Sequence, residues 1–259
     1  MRLCRLLAGA GTVLVTLLAV GGLGLAPAAA VAHGRAAAPG QYPDAVKLTM
    51  TAIPRANGTT YDSGCSAALI SRTWIMTAGH CFHDVNGRRV SGATPYRTTA
   101  TLGTSNTTTF PGETRSVVEI RQSSGNDIAL ARLSAAVTDV VPLALNTQRP
   151  ASGQILTLAG WGATSSVAPR PSDQLWTGQV RITSVGSSTV LVTGYSPAPD
   201  TSACRYDSGA PYVATPPGAP ARLVSVESDG PACPHSTPET TARVDTVVGW
   251  VRSVVHDLP

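Results

Sequence analysis

The sequence predicts an all-β fold, a sandwich or a barrel, with one helix at the C-terminus. Short apolar or β-branched segments recur along the chain, and Gly, Pro, Asn and Ser separate them. Such regular spacing of strands and turn signals is typical of sandwiches and barrels. The strict alternation of strands and helices that a parallel α/β sheet requires is not visible.

The first thirty residues are predicted to be a secretory signal peptide. Two arginines form a basic start, residues 6–25 carry no charge, and residues 28–30 are small enough for the signal peptidase. The alternative is a transmembrane anchor, since the apolar run is nearly long enough to span a bilayer. We expect cleavage after Ala30, which makes the protein extracellular and leaves it without a membrane association.

Eight strands are predicted in the remaining chain. They cover residues 45–51, 65–71, 73–77, 127–133, 154–161, 178–184, 189–193 and 221–227. The stretch 140–150 contains Pro142 and Pro150 and is interpreted as a link between two halves. We therefore expect one domain over 31–259, divided into about 31–140 and about 141–259.

The predicted helix lies at the end of the chain. Its valines, spaced by three and four residues, give one apolar face; they are Val244, Val247, Val248, Val251, Val254 and Val255. We expect this face to pack on the body of the protein without a chemical role.

Charge and cysteine content exclude several function classes. The chain has 19 basic and 15 acidic residues, which is too balanced for a nucleic-acid-binding protein, and no basic stripe is interleaved with aromatic residues. Four of the five cysteines follow the predicted signal peptide, an even number that suggests disulfides, with three pairings open. A metal site at His80, Cys81 and His83 is the alternative, but no second ligand cluster has matching spacing. No metal or cofactor is expected.

Three separated segments carry the residue types of nucleophilic catalysis. They are Thr-Ala-Gly-His-Cys at 77–81, Asn-Asp-Ile-Ala-Leu at 126–130, and Cys-Arg-Tyr-Asp-Ser-Gly-Ala-Pro at 204–211. A serine hydroxyl needs an adjacent base to become a nucleophile, and an imidazole held by a carboxylate supplies one. His80, Asp127 and Ser208 therefore form a candidate triad in the order His, Asp, Ser.

The chain resembles the trypsin/chymotrypsin family of secreted serine peptidases, and we expect the bacterial type. The three segments resemble the family's triad motifs, Gly-Gln-Tyr-Pro at 40–43 resembles an element near its mature N-terminus, and Gly-Trp-Gly at 160–162 matches a common loop. The likeness covers nearly all of 31–259. It implies two antiparallel six-stranded β-barrels with the triad between them, and the disulfides Cys65–Cys81 and Cys204–Cys233.

The resemblance also implies roles around the nucleophile. The backbone N–H groups of Tyr206 and Ser208 would form the oxyanion hole. The amine of Val31, freed by signal cleavage alone, would pair with the carboxylate of Asp207. The substrate-binding residues would be Ser202 at the floor of the primary pocket, Ser228 and Gly230 at its edge, and Glu239 on its deeper wall. The alternative for Glu239 is a solvated loop residue.

Four positions depart from the family pattern. Tyr206 and His33 each replace a glycine, and Gly79 replaces an alanine. Tyrosine at 206 keeps the backbone donor but predicts about 1–2 kcal/mol of strain if φ is positive. Asp229 stands where the family has an aromatic residue. Ser202 fits the chymotrypsin-like members of the family; trypsin-like members have aspartate there, so serine argues against a simple preference for Arg and Lys side chains.

The leading hypothesis is a secreted serine endopeptidase that forms an acyl-enzyme through Ser208. It would act as a monomer on protein or peptide substrates, be open to proteinaceous inhibitors, and bind neither nucleic acid nor, after cleavage, a membrane. The second hypothesis is a catalytically impaired relative that binds a protein or a surface. An esterase or lipase of the α/β-hydrolase type is the third, and the chain order and the missing glycines around Ser208 disfavour it.

Overall fold

The computed structural model describes residues 31–259, so the predicted signal peptide lies outside the described residues. This part of the chain forms fifteen strands, one 3-10 turn at Gly79–Cys81 and one helix, α1, at Val248–Val254. In chain order the strands are β1 (Arg35–Ala36), β2 (Ala45–Pro54), β3 (Thr60–Leu69), β4 (Trp74–Ala78), β5 (Gly92–Ala93), β6 (Arg97–Leu102), β7 (Glu113–Gln122), β8 (Ile128–Leu133), β9 (Ala144–Leu145), β10 (Ile155–Gly160), β11 (Trp176–Val185), β12 (Thr189–Ser196), β13 (Pro211–Ala214), β14 (Arg222–Asp229) and β15 (Glu239–Arg243).

Six strands close the first barrel. They are hydrogen-bonded in the order β7, β6, β2, β3, β4 and β8, and β7 also pairs with β8. All of these pairs are antiparallel. Because side chains alternate between the two faces of a strand, one face fills the barrel with apolar residues that include Leu48, Leu69 and Ile120.

The second barrel repeats this design. Its strands follow the order β11, β10, β13, β14, β15 and β12, and β11 closes the ring on β12. Leu156, Val180 and Val224 contribute to its separate core. Two short strands flank this barrel: β1 pairs with β11, and β9 runs parallel to β14. The predicted fold of two antiparallel six-stranded barrels is confirmed.

The eight predicted strands correspond to β2, β3, β4, β8, β10, β11, β12 and β14. Among the longer strands, β6, β7, β13 and β15 were not predicted. β7 shows why, because its burial pattern places few residues inside the protein. Its charged side chains pair on the surface, with Arg115 on Glu113 at 2.6 Å and Arg132 of β8 on Glu119 at 2.7 Å. Paired charges let a mostly polar strand lie at the surface of a barrel.

Both ends of the described chain cross between the barrels. Val31 packs in the core of the second barrel, and β1 joins its sheet, although the sequence placed residues 31–140 in the first half. Helix α1 packs through Val251 on a cluster that contains Ile70 and Trp74 of the first half and Leu223 of the second. The predicted helix therefore exists, one turn shorter than the valine pattern. Within 31–259 no helix combines the length and apolar character needed to cross a membrane.

Two disulfides join the cysteines as the resemblance implied. Cys65 pairs with Cys81 at a Cα–Cα distance of 6.5 Å, and Cys204 pairs with Cys233 at 5.2 Å. The first closes a short loop before His80, and the second ties the segment before Ser208 to the loop after β14. The alternative of a metal site at residues 80–83 fails, because the sulfur of Cys81 is already bonded to Cys65.

Candidate active site

The register of two strands brings His80 and Asp127 together. Ala78 at the end of β4 lies opposite Ile128 at the start of β8, so the residues just outside this pair meet at one rim of the barrel. The Asp127 carboxylate accepts hydrogen bonds from the backbone N–H of His80 at 2.9 Å and from His80 Nδ1 at 2.7 Å. The second bond orients the imidazole with Nε2 facing away from Asp127, which is the arrangement that a general base needs.

The second barrel contributes a further partner to this carboxylate. The Ser228 hydroxyl, on β14, donates a hydrogen bond to Asp127 Oδ2 at 2.8 Å. Burial raises the pKa of Asp127, but the hydrogen bonds and charge of His80 and the bond from Ser228 outweigh it and leave the pKa below its usual value. Asp127 therefore remains ionised beside His80 at neutral pH.

Ser208 lies across the same cleft. His80 and Ser208 line one cavity of about 440 Å³ together with Ser228 and Gly230. The hydrogen bonds of residues 31–259 include none between Ser208 Oγ and His80 Nε2, a contact that often tightens only when substrate binds. The structure thus brings all three residues of the candidate triad to one cleft between the barrels.

The loop around Ser208 leaves two backbone donors free. The carbonyl of Ser208 accepts a bond from Ser66, and the N–H of Gly209 donates to Glu227. The N–H groups of Tyr206 and Ser208 donate no hydrogen bond to any residue in the described part of the chain. Two such donors beside a nucleophile can stabilise the oxyanion of a tetrahedral intermediate.

Tyr206 adopts the conformation that was expected to cause strain. Its φ is +77°, in the left-handed region that bulky residues seldom occupy. The ring is held from two sides: the hydroxyl donates to the carbonyl of Pro169 at 3.4 Å, and the Arg205 guanidinium lies 5.5 Å from the ring centre. The backbone is thus the one a glycine would adopt, while these contacts hold the side chain at the rim of the cleft.

Asp207 is fully buried behind the nucleophile. Its carboxylate accepts hydrogen bonds from the N–H groups of Gly162 at 2.7 Å and Cys204 at 2.9 Å. A Cβ atom at Gly160 or Gly162 would lie only 2.0 or 2.3 Å from a carboxylate oxygen, so the Gly-Trp-Gly motif makes room for this side chain. Burial raises the pKa of Asp207 well above its usual value, and the nearby charge of Glu239 adds to the shift.

The chain around Val31 packs on residues that flank the nucleophile loop. The ion pairs of residues 31–259 include none with Asp207. Val31 is buried in one cluster with Ala203 and Ala210, which flank the nucleophile loop. Ala32 and Ser202 exchange two backbone hydrogen bonds, at 2.9 and 3.2 Å. A buried carboxylate without a cation therefore lies close to the predicted cleavage point.

The residues predicted for the primary pocket have different environments. Gly230 and Ser228 line the cavity, although the Ser228 hydroxyl is bonded to Asp127. Ser202 is buried, and its hydroxyl accepts the backbone N–H of His235 at 3.2 Å. Glu239 is 2% exposed and accepts the N–H of Ala203 at 3.0 Å. The alternative that Glu239 is a solvated loop residue is therefore wrong.

An acidic cluster behind this pocket was not predicted from the sequence. The Tyr212 hydroxyl lies 2.6 Å from a carboxyl oxygen of Glu227 and 2.6 Å from one of Glu239. Because a hydroxyl can donate only one hydrogen bond, a protonated carboxyl must donate the other. Burial, followed by the charge of Glu239, raises the pKa of Glu227 well above its usual value. Glu227 lines the cavity. It is a charged residue directly after the buried run 223–226 of β14, and this was the available signal in the sequence.

His235 completes the cluster. Its Nε2 lies 3.4 Å from a Glu239 oxygen, outside hydrogen-bonding geometry, and its Nδ1 lies 2.8 Å from the carbonyl of Thr237. The Glu239 carboxylate raises the pKa of His235, against a smaller opposing effect of burial. Within the described residues, the cluster behind the pocket thus consists of two carboxyl groups, one bridging hydroxyl and one imidazole, and Glu227 is its member that lines the cavity.

Comparison with known proteins gives a consistent family. The profile of the family described as Trypsin matches residues 31–251. Trypsin alpha of Drosophila erecta is 28% identical over 215 residues, which cover 75% of this chain and 78% of that protein. Trypsin alpha-4 of Lucilia cuprina is 29% identical over 219 residues, with the same coverage of 75% and 78%.

A longer relative shows the same likeness. Transmembrane protease serine 9 of Rattus norvegicus is 29% identical over 260 aligned positions, which cover 90% of this chain but 23% of that protein. These relatives come from insects and a mammal, so they give no support to the bacterial type expected from the sequence. Together with the two barrels, the family match shows that the chain belongs to the trypsin family and is a serine endopeptidase with the chymotrypsin-like fold.

Proposed function

We propose that this protein is a secreted endopeptidase whose catalytic triad is Ser208, His80 and Asp127. The observation that supports it is the doubly hydrogen-bonded His80–Asp127 pair facing the cavity that Ser208 also lines. The unused N–H groups of Tyr206 and Ser208 support the assignment of the oxyanion hole.

The proposed reaction passes through an acyl-enzyme. Ser208 Oγ forms a bond to the carbonyl carbon of the scissile peptide while its proton moves to His80 Nε2. The carbonyl oxygen becomes an oxyanion that accepts hydrogen bonds from the two free N–H groups. As the C–N bond breaks, His80 gives the proton to the leaving amine. Water then repeats the sequence on the ester, and the proton returns to Ser208 Oγ.

The buried charge of Asp207 supports the proposal for the N-terminus. An isolated buried carboxylate is strongly unfavourable, and two backbone N–H groups stabilise it only in part. Cleavage after Ala30 would create a cationic amine at Val31, whose side chain packs beside the nucleophile loop. In this proposal signal cleavage alone both exports the protein and completes its active conformation.

The acidic cluster supports a proposal for the primary pocket. Ser202 forms its floor, the backbone of Ser228 and Gly230 binds the substrate main chain, and Glu239 acts from the deeper wall. At Gly230 an added Cβ would lie 3.1 Å from the Cβ of Glu239, so the glycine keeps the approach to this wall open. The pocket would take both large apolar side chains and basic ones, with Glu239 stabilising the basic group.

A second candidate function is a protease-like binding protein with impaired catalysis. The observation that favours it is the positive φ of Tyr206, since a strained oxyanion loop can misplace a donor. The presence of all three proposed triad residues at one cleft argues against it.

The first prediction concerns the nucleophile. A fluorophosphonate probe should label the protein that begins at Val31, and Ser208→Ala should abolish labelling and lower kcat on the order of 10⁶-fold. The exposed Ser187→Ala variant is the control and should label fully. Mass spectrometry of the labelled peptide checks the site. Undiminished labelling of Ser208→Ala would contradict the proposed triad.

The second prediction separates the two candidate functions. Tyr206→Gly keeps both the N–H and the preferred φ, so its kcat should stay within about threefold of the wild type. Tyr206→Pro removes the donor and, because proline fixes φ near −65°, also displaces the loop, so it should lower kcat by at least about 10²–10³-fold. Steady-state kinetics on a peptide amide measures both. A rise in kcat of about 10²-fold or more in Tyr206→Gly would instead favour the impaired binding protein.

The third prediction concerns the N-terminus. N-terminal sequencing of the secreted protein should give Val31. A variant that retains Ala30 after cleavage should lose at least about 10²-fold in activity, because removing one partner of a buried ion pair costs about 3 kcal/mol or more. Asp207→Asn should lose as much, whereas the half-exposed Asp200→Asn should not.

The same ion pair sets a direction for the effect of pH. Pairing raises the pKa of the amine above its usual value of about 8, so the stabilisation is complete below pH 8 and is lost as pH rises further. A secreted protein that starts elsewhere and is fully active would refute this proposal.

The fourth prediction concerns the side chain at the cleaved bond. Substrates with Phe and with Lys at this position should both be cleaved, and one with Ala more slowly. Glu239→Gln should lower kcat/KM for the Lys substrate about tenfold, because it removes a charge, and leave the Phe substrate nearly unchanged. The exposed Asp229→Asn variant provides the comparison. Absence of cleavage after Lys would remove the assigned role of Glu239.

A further inference from the structure

Gly79 stands beside the candidate catalytic histidine, and side chains explain why it is a glycine. Its φ is not among the positive values of the described residues, so its backbone does not require a glycine. A Cβ at this position would instead lie 2.6 Å from Arg89 Nη1, 2.7 Å from Gln122 Oε1 and 2.9 Å from Asp127 Oδ1. The space that a methyl group would fill is occupied by a guanidinium group.

Arg89 reaches this space from a fixed backbone position. It forms a β-bridge with His83, and the next residue, Val90, donates its N–H to the carbonyl of Phe82. The segment that follows His80 therefore holds the base of the Arg89 side chain. The Arg89 side chain is 36% exposed, so solvent screens part of its charge.

The guanidinium contacts the segment that leads into Asp127. Arg89 Nη1 donates to the carbonyl of Asn126 at 2.8 Å, and Nη2 donates to the carbonyl of Ser123 at 3.4 Å. The same Nη1 lies 3.6 Å from Asp127 Oδ1. One side chain thus binds the loop through two carbonyls and places a positive charge on the face of the carboxylate that His80 Nδ1 does not use.

The charged surroundings of Asp127 are simple. Among residues 31–259, only His80 and Arg89 bring a basic nitrogen within 4.0 Å of its carboxylate. Ser228 from β14 is neutral, as are Gln122 from β7 and Asn126, which contact the neighbouring backbone. Within 31–259, Arg89 is therefore the one permanently charged group within 4.0 Å of this carboxylate.

We propose that Arg89 is a positioning residue for Asp127 and that Gly79 is the glycine that admits it. The inference rests on the proposed function, in which Asp127 orients His80. Arg89 holds the loop 123–126 in place and stabilises the ionised carboxylate. By sharing that carboxylate, Arg89 also reduces the negative charge that Asp127 presents to His80.

The test is the titration of His80, followed by NMR in the Ser208→Ala background so that the protein does not digest itself. Arg89→Gln should raise the midpoint by about 0.5 pH unit, a screened share of the interaction between charges at this distance. Arg89→Lys keeps the charge and should stay within about 0.2 unit of the parent. Arg88→Gln, one residue away and exposed, should leave the midpoint unchanged.

Gly79 gives an independent arm of the same test. Gly79→Ala should expel the guanidinium and raise the midpoint as much as Arg89→Ala does. The double variant should show no further rise, because the two changes remove one interaction. In protein that retains Ser208, Arg89→Gln should shift the acidic side of the pH profile of kcat/KM by the same amount.

The outcomes separate the proposals. A midpoint that Arg89→Gln leaves unchanged or lowers, or additive shifts in the double variant, would overturn the role of Arg89. The titration needs no catalysis, so it tests Arg89 even if the fluorophosphonate fails to label Ser208. Failure of labelling counts against the triad proposal instead.

Discussion

The carboxylate of Asp127 joins parts of the chain that are far apart in sequence. It accepts bonds from the turn that carries His80, from Ser228 on the second barrel, and it faces Arg89 from a third segment. Each partner satisfies a part of a charge that would otherwise be costly to bury. This carboxylate is therefore a polar contact between the barrels at the cleft itself, while an apolar cluster with residues of both halves packs the barrels together.

Asp207 meets the same requirement in another way. Two backbone N–H groups bind its oxygens, and two glycines leave the space that these oxygens occupy because they have no Cβ atom. The side chains of His80 and Ser228 lower the pKa of Asp127. Asp207 has no such side-chain partner among the residues described, and burial raises its pKa. A buried carboxyl group whose hydrogen-bond partners are backbone N–H groups alone can still pair with a cation. This difference from Asp127 is the physical basis of the proposed pairing between Asp207 and the amine of Val31.

The sequence was most informative where burial dictates composition. Strands β2, β4, β8 and β10 are rich in apolar residues because they line a core, so their composition predicts them. β7 was not recognised because it is mostly polar: its charges pair with one another and with Arg132 on β8, and only the three-dimensional structure shows these pairs. The triad could be found from its flanking motifs. Arg89 could not, since its relation to Gly79 exists only after residues ten apart have folded into contact.

The acidic cluster behind the pocket escaped for a similar reason. Tyr212, Glu227 and Glu239 come from three strands and share protons only when the barrel is closed. Nothing in the separation of these residues along the chain indicates that their oxygens meet. Contacts of this kind depend on which strands the fold places side by side and leave no local pattern in the sequence.

The crossing of the chain ends has a consequence for how the protein folds during synthesis. Among the strands β1 is synthesised first, but its partner β11 follows about 140 residues later. The surface around Ile70 and Trp74 likewise stays uncovered until α1 has been synthesised. Contacts of such long sequence separation form slowly. The strands of the first barrel pair with one another, but β1 stays unpaired until β11 has been made. Because the cleft needs residues of both barrels, it can assemble only after the second barrel has been synthesised, and any proteolytic activity must wait for that step.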